Sequence, residues 1–223
     1  MQEGKEKRDE KPVNAEQVLA TLAERWRGAI TLEYRSQLVL SHQGEAGLRG
    51  ELTVRLRRPN LARIEIKVDN PEFCGLRVCD GRVIWQRNQR VPLRPARTQR
   101  HGFQTTVMAG IAHPLDEAAY SVDQFLAPQP FRLTGSGVER SATQRKDSKD
   151  KEREVFVVVQ TQATSRDTLT LDAKTYAPLR LVRVGDHGGT VQELLREEFQ
   201  GVVLGSALPT ALFRWTPEDE ARQ

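Results

Sequence analysis

The stretch LRGELTVRLRRPNLARIEIKV, residues 48–68, alternates oily and charged side chains with almost no break. Leu48, Leu52, Val54 and Leu56 fall on one parity; Arg49, Glu51, Thr53, Arg55 and Arg57 fall on the other. After Pro59-Asn60, Ala62, Ile64, Ile66 and Val68 alternate with Arg63, Glu65 and Lys67. A strand sends successive side chains to opposite faces, whereas a helix would scatter this pattern around its circumference. The period of two predicts two strands joined by a turn, each with one oily and one charged face. Just upstream, Ile30, Leu32, Tyr34, Leu38 and Leu40 share a side on which Ser36 is the one polar member, with Glu33, Arg35 and Gln37 opposite. Such an oily face is covered either by the protein's own core or by a bound guest.

Composition agrees with a sheet that is wet on one side. Only 38% of the 223 residues are hydrophobic, 29% are charged, and mean hydropathy is -0.57. That is lean for a two-sided core but suits strands whose outer half is polar. The net charge of +4 comes from interspersed charges. It fits a solvated surface and would also favour anionic headgroups or nucleic acid. No apolar run of about 18 residues exists, so no transmembrane helix is expected. The opening MQEGKEKRDEKP lacks the apolar segment of a signal peptide. Cys74 and Cys79, at the two ends of one straight strand, would lie about 16 Å apart on opposite faces, too far for a disulfide unless Gly75 turns the chain.

Along the chain, residues 1–12 read as a charged, disordered tail. Asn14 is a candidate N-cap with Gln17 three positions on, opening a helix that Gly28 stops and whose stripe is Val18, Leu19, Leu22 and Trp26. Gly44 and Gly47 turn into the quoted segment, and Asp80-Gly81 is a hairpin signal before Val83 and Trp85. In residues 87–101, Arg87, Arg90, Arg94, Arg97 and Arg100 recur at helical spacing, but Pro92 and Pro95 forbid the helix. This segment reads as an irregular strand or loop, either solvated or an anion-contacting rim. PLDEAAYSVDQFL, 114–126, reads as a second amphipathic helix with Leu115, Ala118, Val122 and Phe125 or Leu126 inward. TQRKDSKDKER, 143–153, is read as a polar hairpin tip. Strands follow at Val155–Thr161, Thr168–Asp172, Leu179–Val184 and Val191–Phe199, with turns at 165–167, 173–175 and 186–189.

The expectation is a mainly β fold of the α+β class. A strongly curved antiparallel sheet of about ten or eleven strands forms an incomplete barrel, and two helices cover its concave face. One domain spans 13–218, followed by a short tail at 219–223.

The sequence offers no catalytic or metal-binding pattern. His42, His101, His113 and His187 stand apart from one another and from cysteine or paired carboxylates, and there is no zinc spacing, nucleophile elbow, P-loop or dinucleotide fingerprint. Gly135-Ser136-Gly137 lacks the lysine and helix of a phosphate loop. Asp116-Glu117 fit the first turn of a helix. The purely basic segment 87–101 has no aromatic on which to stack a base, so nucleic-acid binding is not expected.

The order of elements resembles the LolA/LolB-like superfamily of bacterial lipoprotein carriers and outer-membrane lipoprotein-sorting proteins. The matching positions are Pro59, Arg63 and Ile64 in an early strand, and Asp80, Gly81 and Trp85 at a hairpin. Leu169, Leu171, Asp172, Pro178 and Arg180 match in a late strand, with Phe213 and Pro217 near the end. The resemblance covers nearly all of 14–218 and implies a half-barrel plugged by helices, a cavity for acyl chains, a place in the periplasm or cell envelope, and no catalysis or cofactor. On that basis Leu32, Tyr34, Leu38, Leu52, Val54, Ile64, Ile66 and Trp85 are the expected sheet-side cavity lining. Val18, Leu22, Trp26, Val122 and Phe125 are the lid side, and Arg90, Arg94 and Arg97 the headgroup rim. The expected partners are a lipid or lipoprotein acyl chain and a membrane-associated donor or acceptor protein, with the chain itself a monomer. The alternative is an interaction or scaffold module whose barrel is filled by its own side chains.

Overall fold

A computed structural model describes residues 10–42, 45–59, 61–71, 74–81, 83–88, 96–97, 139–161, 165–187 and 190–216. It shows one open antiparallel sheet. In chain order the elements are β1 (Lys11–Val13), α1 (Ala15–Gly28), β2 (Thr31–His42), β3 (Glu45–Arg57), β4 (Leu61–Val68), β5 (Gly75–Asp80), β6 (Val83–Asn88) and β7 (Ala96–Arg97). After them come β8 (Glu139–Lys146), β9 (Glu154–Thr161), β10 (Ser165–Asp172), β11 (Pro178–His187), β12 (Thr190–Leu204) and a 3-10 turn at Thr210–Phe213. The spatial order is β1-β8-β9-β10-β11-β12-β2-β3-β4-β5-β6-β7. Two meanders, β2–β7 and β8–β12, thus meet where the last strand pairs with β2. Of the twelve strands, ten have six residues or more, in line with the expected count, and the short β1 and β7 extend the two edges.

Helix α1 is the one α-helix among the described residues; the expected helix over 114–126, with Val122 and Phe125, lies outside them. Its start is as the sequence predicts, with the Gln17 N–H donating to Asn14 Oδ1 at 3.0 Å and so satisfying one of the open amides of the first turn. Gly28 is its last residue, and Ala29 closes it through an N–H bond to the Arg25 carbonyl. Because β1 sits at one edge and β2 at the middle of the sheet, the connecting helix must cross the face of β8–β12. It lays Val18, Leu19, Leu22 and Trp26 on that face, all buried.

Register then fixes which side chains share the covered face. Leu32 stands opposite Leu56, Tyr34 opposite Val54 and Ser36 opposite Leu52. Val54 stands opposite Ile64 and Leu52 opposite Ile66. The parity read from the sequence is therefore the parity of the sheet. Gly50 faces Leu38 and Val68 in the same layer, and a Cβ there would lie 2.6 Å from Val68 Cα, so β3 and β4 reach their spacing only with glycine.

Several boundaries differ from expectation. Lys11 and Pro12, assigned to the tail, pair with Gln144 and Thr143. Residues 143–146 belong to β8 and only 147–153 form the hairpin tip, because β8 pairs β9 as far as Lys146–Glu154. Ser165–Asp167, expected as a turn, are the start of β10 and pair with β11. Ile30 is 65% exposed rather than inward; it precedes β2, and its carbonyl accepts the Arg58 N–H, so strand parity does not yet govern it. Strand β12 continues past Phe199 to Leu204, with Gly201 at φ +60° and a register shift between Gln200 and Val203.

The far face of the sheet carries a second apolar layer. Beyond β12 the chain crosses the end of β2 and β3. The Gly205 N–H donates to the Thr31 carbonyl, Thr31 Oγ1 donates to the Ser206 carbonyl at 2.8 Å, and Arg57 Nη1 donates to the Leu208 carbonyl and Thr210 Oγ1. Leu208 and Phe213 are buried here, and so are Leu76 and Val78 on β5. Strand β5 is thus covered on both sides, which the short run GLRVCD does not announce by alternation.

Candidate functional site

The expected lining residues separate into three groups. Leu32, Tyr34, Leu38, Leu52, Val54, Ile64 and Ile66 are each at most 2% exposed and form one packed cluster with Val18, Leu22 and Trp26 of α1. Trp85 is not among them. It stands opposite Val78, which stands opposite Arg63, so it occupies the far face and stacks on Trp215 with ring centroids 6.0 Å apart. The cause is register: on β6 the position opposite Cys79 is 84, one before Trp85. Arg97 lies in β7 opposite Val83. Arg90 and Arg94 lie outside the described residues.

A hollow of about 220 Å³ opens at the seam between α1 and the sheet. Leu22, Arg25 and Trp26 line it from the helix, Thr175, Tyr176 and Ala177 from the β10–β11 turn, and Val202 and Leu204 from β12. The turn is built by Asp172, whose Oδ1 accepts the Lys174 N–H, the Thr175 N–H and the Thr175 hydroxyl at 3.0, 2.7 and 2.8 Å. Burial alone would raise this carboxyl, but those three bonds and the nearby Arg153 outweigh it and hold the group below the usual carboxylate range. The turn leaves Tyr176 in the left-handed region at φ 60°, with its ring 5.3 Å from Phe156. Arg25 bridges helix and turn: its Nη1 donates to the Thr175 carbonyl at 2.8 Å, and its guanidinium carbon lies 4.9 Å from the centre of the Tyr176 ring. Across the hollow, the irregularity at Gly201 lets Val202 and Leu204 face the helix while Val203 points outward.

The sequence reading found Leu22 and Trp26 of this wall and missed Arg25, Tyr176, Val202 and Leu204. Asp172 followed by Thr175 and a tyrosine was legible as a turn. Its approach to the C-terminal half of a helix 150 residues earlier was not. Gly201 within FQGVVL was the one local sign that β12 changes course there.

The inner face also carries polar pairs. Ser36, fully buried, donates its hydroxyl to Glu197 Oε1 at 2.6 Å, and Glu197 is itself 6% exposed. Toward the start of the helix, Arg140 donates to Gln160 Oε1 and to Glu16 Oε1, and Arg183 to Asp167. A second hollow, at the β8–β9 hairpin tip, is walled by Asp150, Glu152, Arg153 and other polar groups. Among the described residues no three His, Cys, Asp or Glu side chains gather as metal ligands. Both cysteines are free, and burial raises the Cys79 thiol above its ordinary value. No helix among the described residues is long and apolar enough to cross a membrane.

No protein-family model and no curated protein matches the sequence. Solved structures similar to the chain include a LolA superfamily protein from Nitrosomonas europaea, at 13% identity and a TM-score of 0.47, covering 91% of this chain and 98% of that one. The Pseudomonas aeruginosa MucA/MucB complex is matched at 18% identity and a TM-score of 0.44, over 92% of this chain and 62% of that one. A putative outer membrane lipoprotein-sorting protein domain from Vibrio parahaemolyticus is matched at 13% identity and a TM-score of 0.36, over 90% of this chain and all of that one.

Proposed function

We propose that the chain is a non-catalytic protein of the bacterial cell envelope that binds the acyl chain of a lipid or lipoprotein, and that the hydrocarbon enters at the seam between α1 and β12. The observation that carries this reading is the hollow of about 220 Å³ walled on its apolar side by Leu22, Trp26, Val202 and Leu204. Its volume is below the roughly 300–1,000 Å³ of most ligand sites, so it takes part of a chain, and a longer guest requires α1 to move off the inner face. Each methylene buried there contributes about 0.8 kcal/mol, without any polar motif. In this proposal the sheet curls as an incomplete barrel; support comes from the single cluster that joins Ala142, Val158 and Leu171 on one side of α1 to Ala62, Ile64 and Cys79 on the other. The envelope location, the monomeric state and a membrane-associated donor or acceptor protein belong to the same proposal and rest on the sequence resemblance.

Native mass spectrometry of the purified chain and displacement of a fluorescent fatty acid test it. Bound lipid, or saturable uptake that Val202→Trp lowers about tenfold by filling the hollow, is the expected result. Repeated absence of lipid together with no uptake overturns it. A second reading, an interaction module with a filled interior, draws on the dense packing of Leu32, Val54, Leu56 and Ile64, all 0% exposed. It predicts that negative result.

A further inference from the structure

Resting on the reading above, we propose that the seam hollow selects a single-chain amphiphile with an anionic oxygen headgroup, and that Arg25 is the residue that reads the charge. The hollow is apolar at its floor and carries a cation at its edge. Arg25 is exposed, and its guanidinium rests on the Tyr176 ring with one N–H given to the Thr175 carbonyl. A guanidinium has five N–H donors in a planar fork, so most remain for a guest. Among the described residues no carboxylate pairs with Arg25. The acid of the turn, Asp172, accepts the Lys174 and Thr175 N–H groups and the Thr175 hydroxyl, pairs with Arg153 at 3.7 Å, and does not line this hollow. Among the described residues, the lining of the hollow thus holds one cation, Arg25, and no acid. The Tyr176 ring and the Thr175 carbonyl hold the guanidinium at the wall of the hollow, and a guanidinium fork can give a carboxylate or phosphate two parallel bonds. A neutral or cationic head gains nothing from that geometry, and a cationic one is repelled.

The test uses the full chain and four probes of equal length: decanoate, decyl phosphate, decanol and decylamine, titrated by calorimetry at low salt. Decanoate and decyl phosphate are expected to bind at least about tenfold tighter than decanol, the size expected of one charge-assisted hydrogen bond, and decylamine weakest. The tighter of the two anions identifies the headgroup source. In Arg25→Gln, whose thermal unfolding checks that the fold is kept, the ratio of decanoate to decanol affinity should fall to about one. Arg25→Lys should restore part of the anion advantage. Equal binding of decanoate and decanol by the native chain, or an advantage that survives Arg25→Gln, overturns the charge-reading role and leaves the acyl-binding proposal standing. Failure of all four probes to bind overturns the acyl-binding proposal itself.

Discussion

Ser36→Ala is the sharpest probe of how dry the inner face is. Ser36 lies at 0% exposure between Leu52 on β3 and Phe199 on β12. Its hydroxyl donates at 2.6 Å to Glu197, a carboxylate 6% exposed that stands opposite Leu38 and Leu181. A hydrogen bond between buried side chains has a net worth of about 0.5–1.5 kcal/mol, and removing one partner costs about 1–3 kcal/mol where water does not easily reach. The expected loss is about 1–3 kcal/mol, a fall in Tm of about 2–12 °C for a chain of this size. Urea unfolding of the native chain, Ser36→Ala, Glu197→Ala and the double variant closes a cycle whose coupling energy should exceed about 1 kcal/mol. Additivity within about 0.3 kcal/mol, or a Ser36→Ala cost below about 0.5 kcal/mol, would refute the reasoning. Either result would mean that the pair is hydrated and that the oily face is open to solvent.

Gly50→Ala should cost about 1–3 kcal/mol or more through overpacking, since its Cβ would sit 2.6 and 2.7 Å from Val68 Cα and Cγ1. Gly28→Ala, with nothing within 4 Å, should be neutral or slightly stabilising in the same thermal-melt series. Asp172→Asn should weaken the chain at neutral pH and flatten its acid limb. The folded carboxyl titrates below its unfolded value, so its contribution is complete above the unfolded value and fades as pH falls through the folded one. The gap between native and variant, read by urea unfolding from about pH 5 downward, should therefore close. A gap that stays constant with pH would show that the carboxyl does not hold the β10–β11 turn through its charge.

Much of this architecture was legible because strand periodicity is a local property. The parity of residues 48–68 is the parity of β3 and β4, and Asn14 caps the helix it was expected to cap. Trp85 shows where that logic stops. Alternation says which residues of β6 share a face, but not which of the two faces is the inner one when both are apolar. On β5 and β6 the covering of the far face by Leu208, Phe213 and Trp215 removes the polar contrast that would have told them apart. Position in the strand also matters, since Ile30, one residue before β2, follows no parity and is exposed.

The sequence by itself determined the mainly β architecture, the oily and charged faces of its long strands, the first helix and its apolar stripe. Each follows from bonds and side-chain directions within a few residues. Tertiary structure alone decided that β12 pairs with β2, and so that α1 crosses β8–β12. It also brought Arg25, Tyr176 and Val202 to one hollow. Those residues lie up to 177 positions apart (202 less 25). No local preference links them, and only the burial of a helix on a completed sheet brings their side chains together.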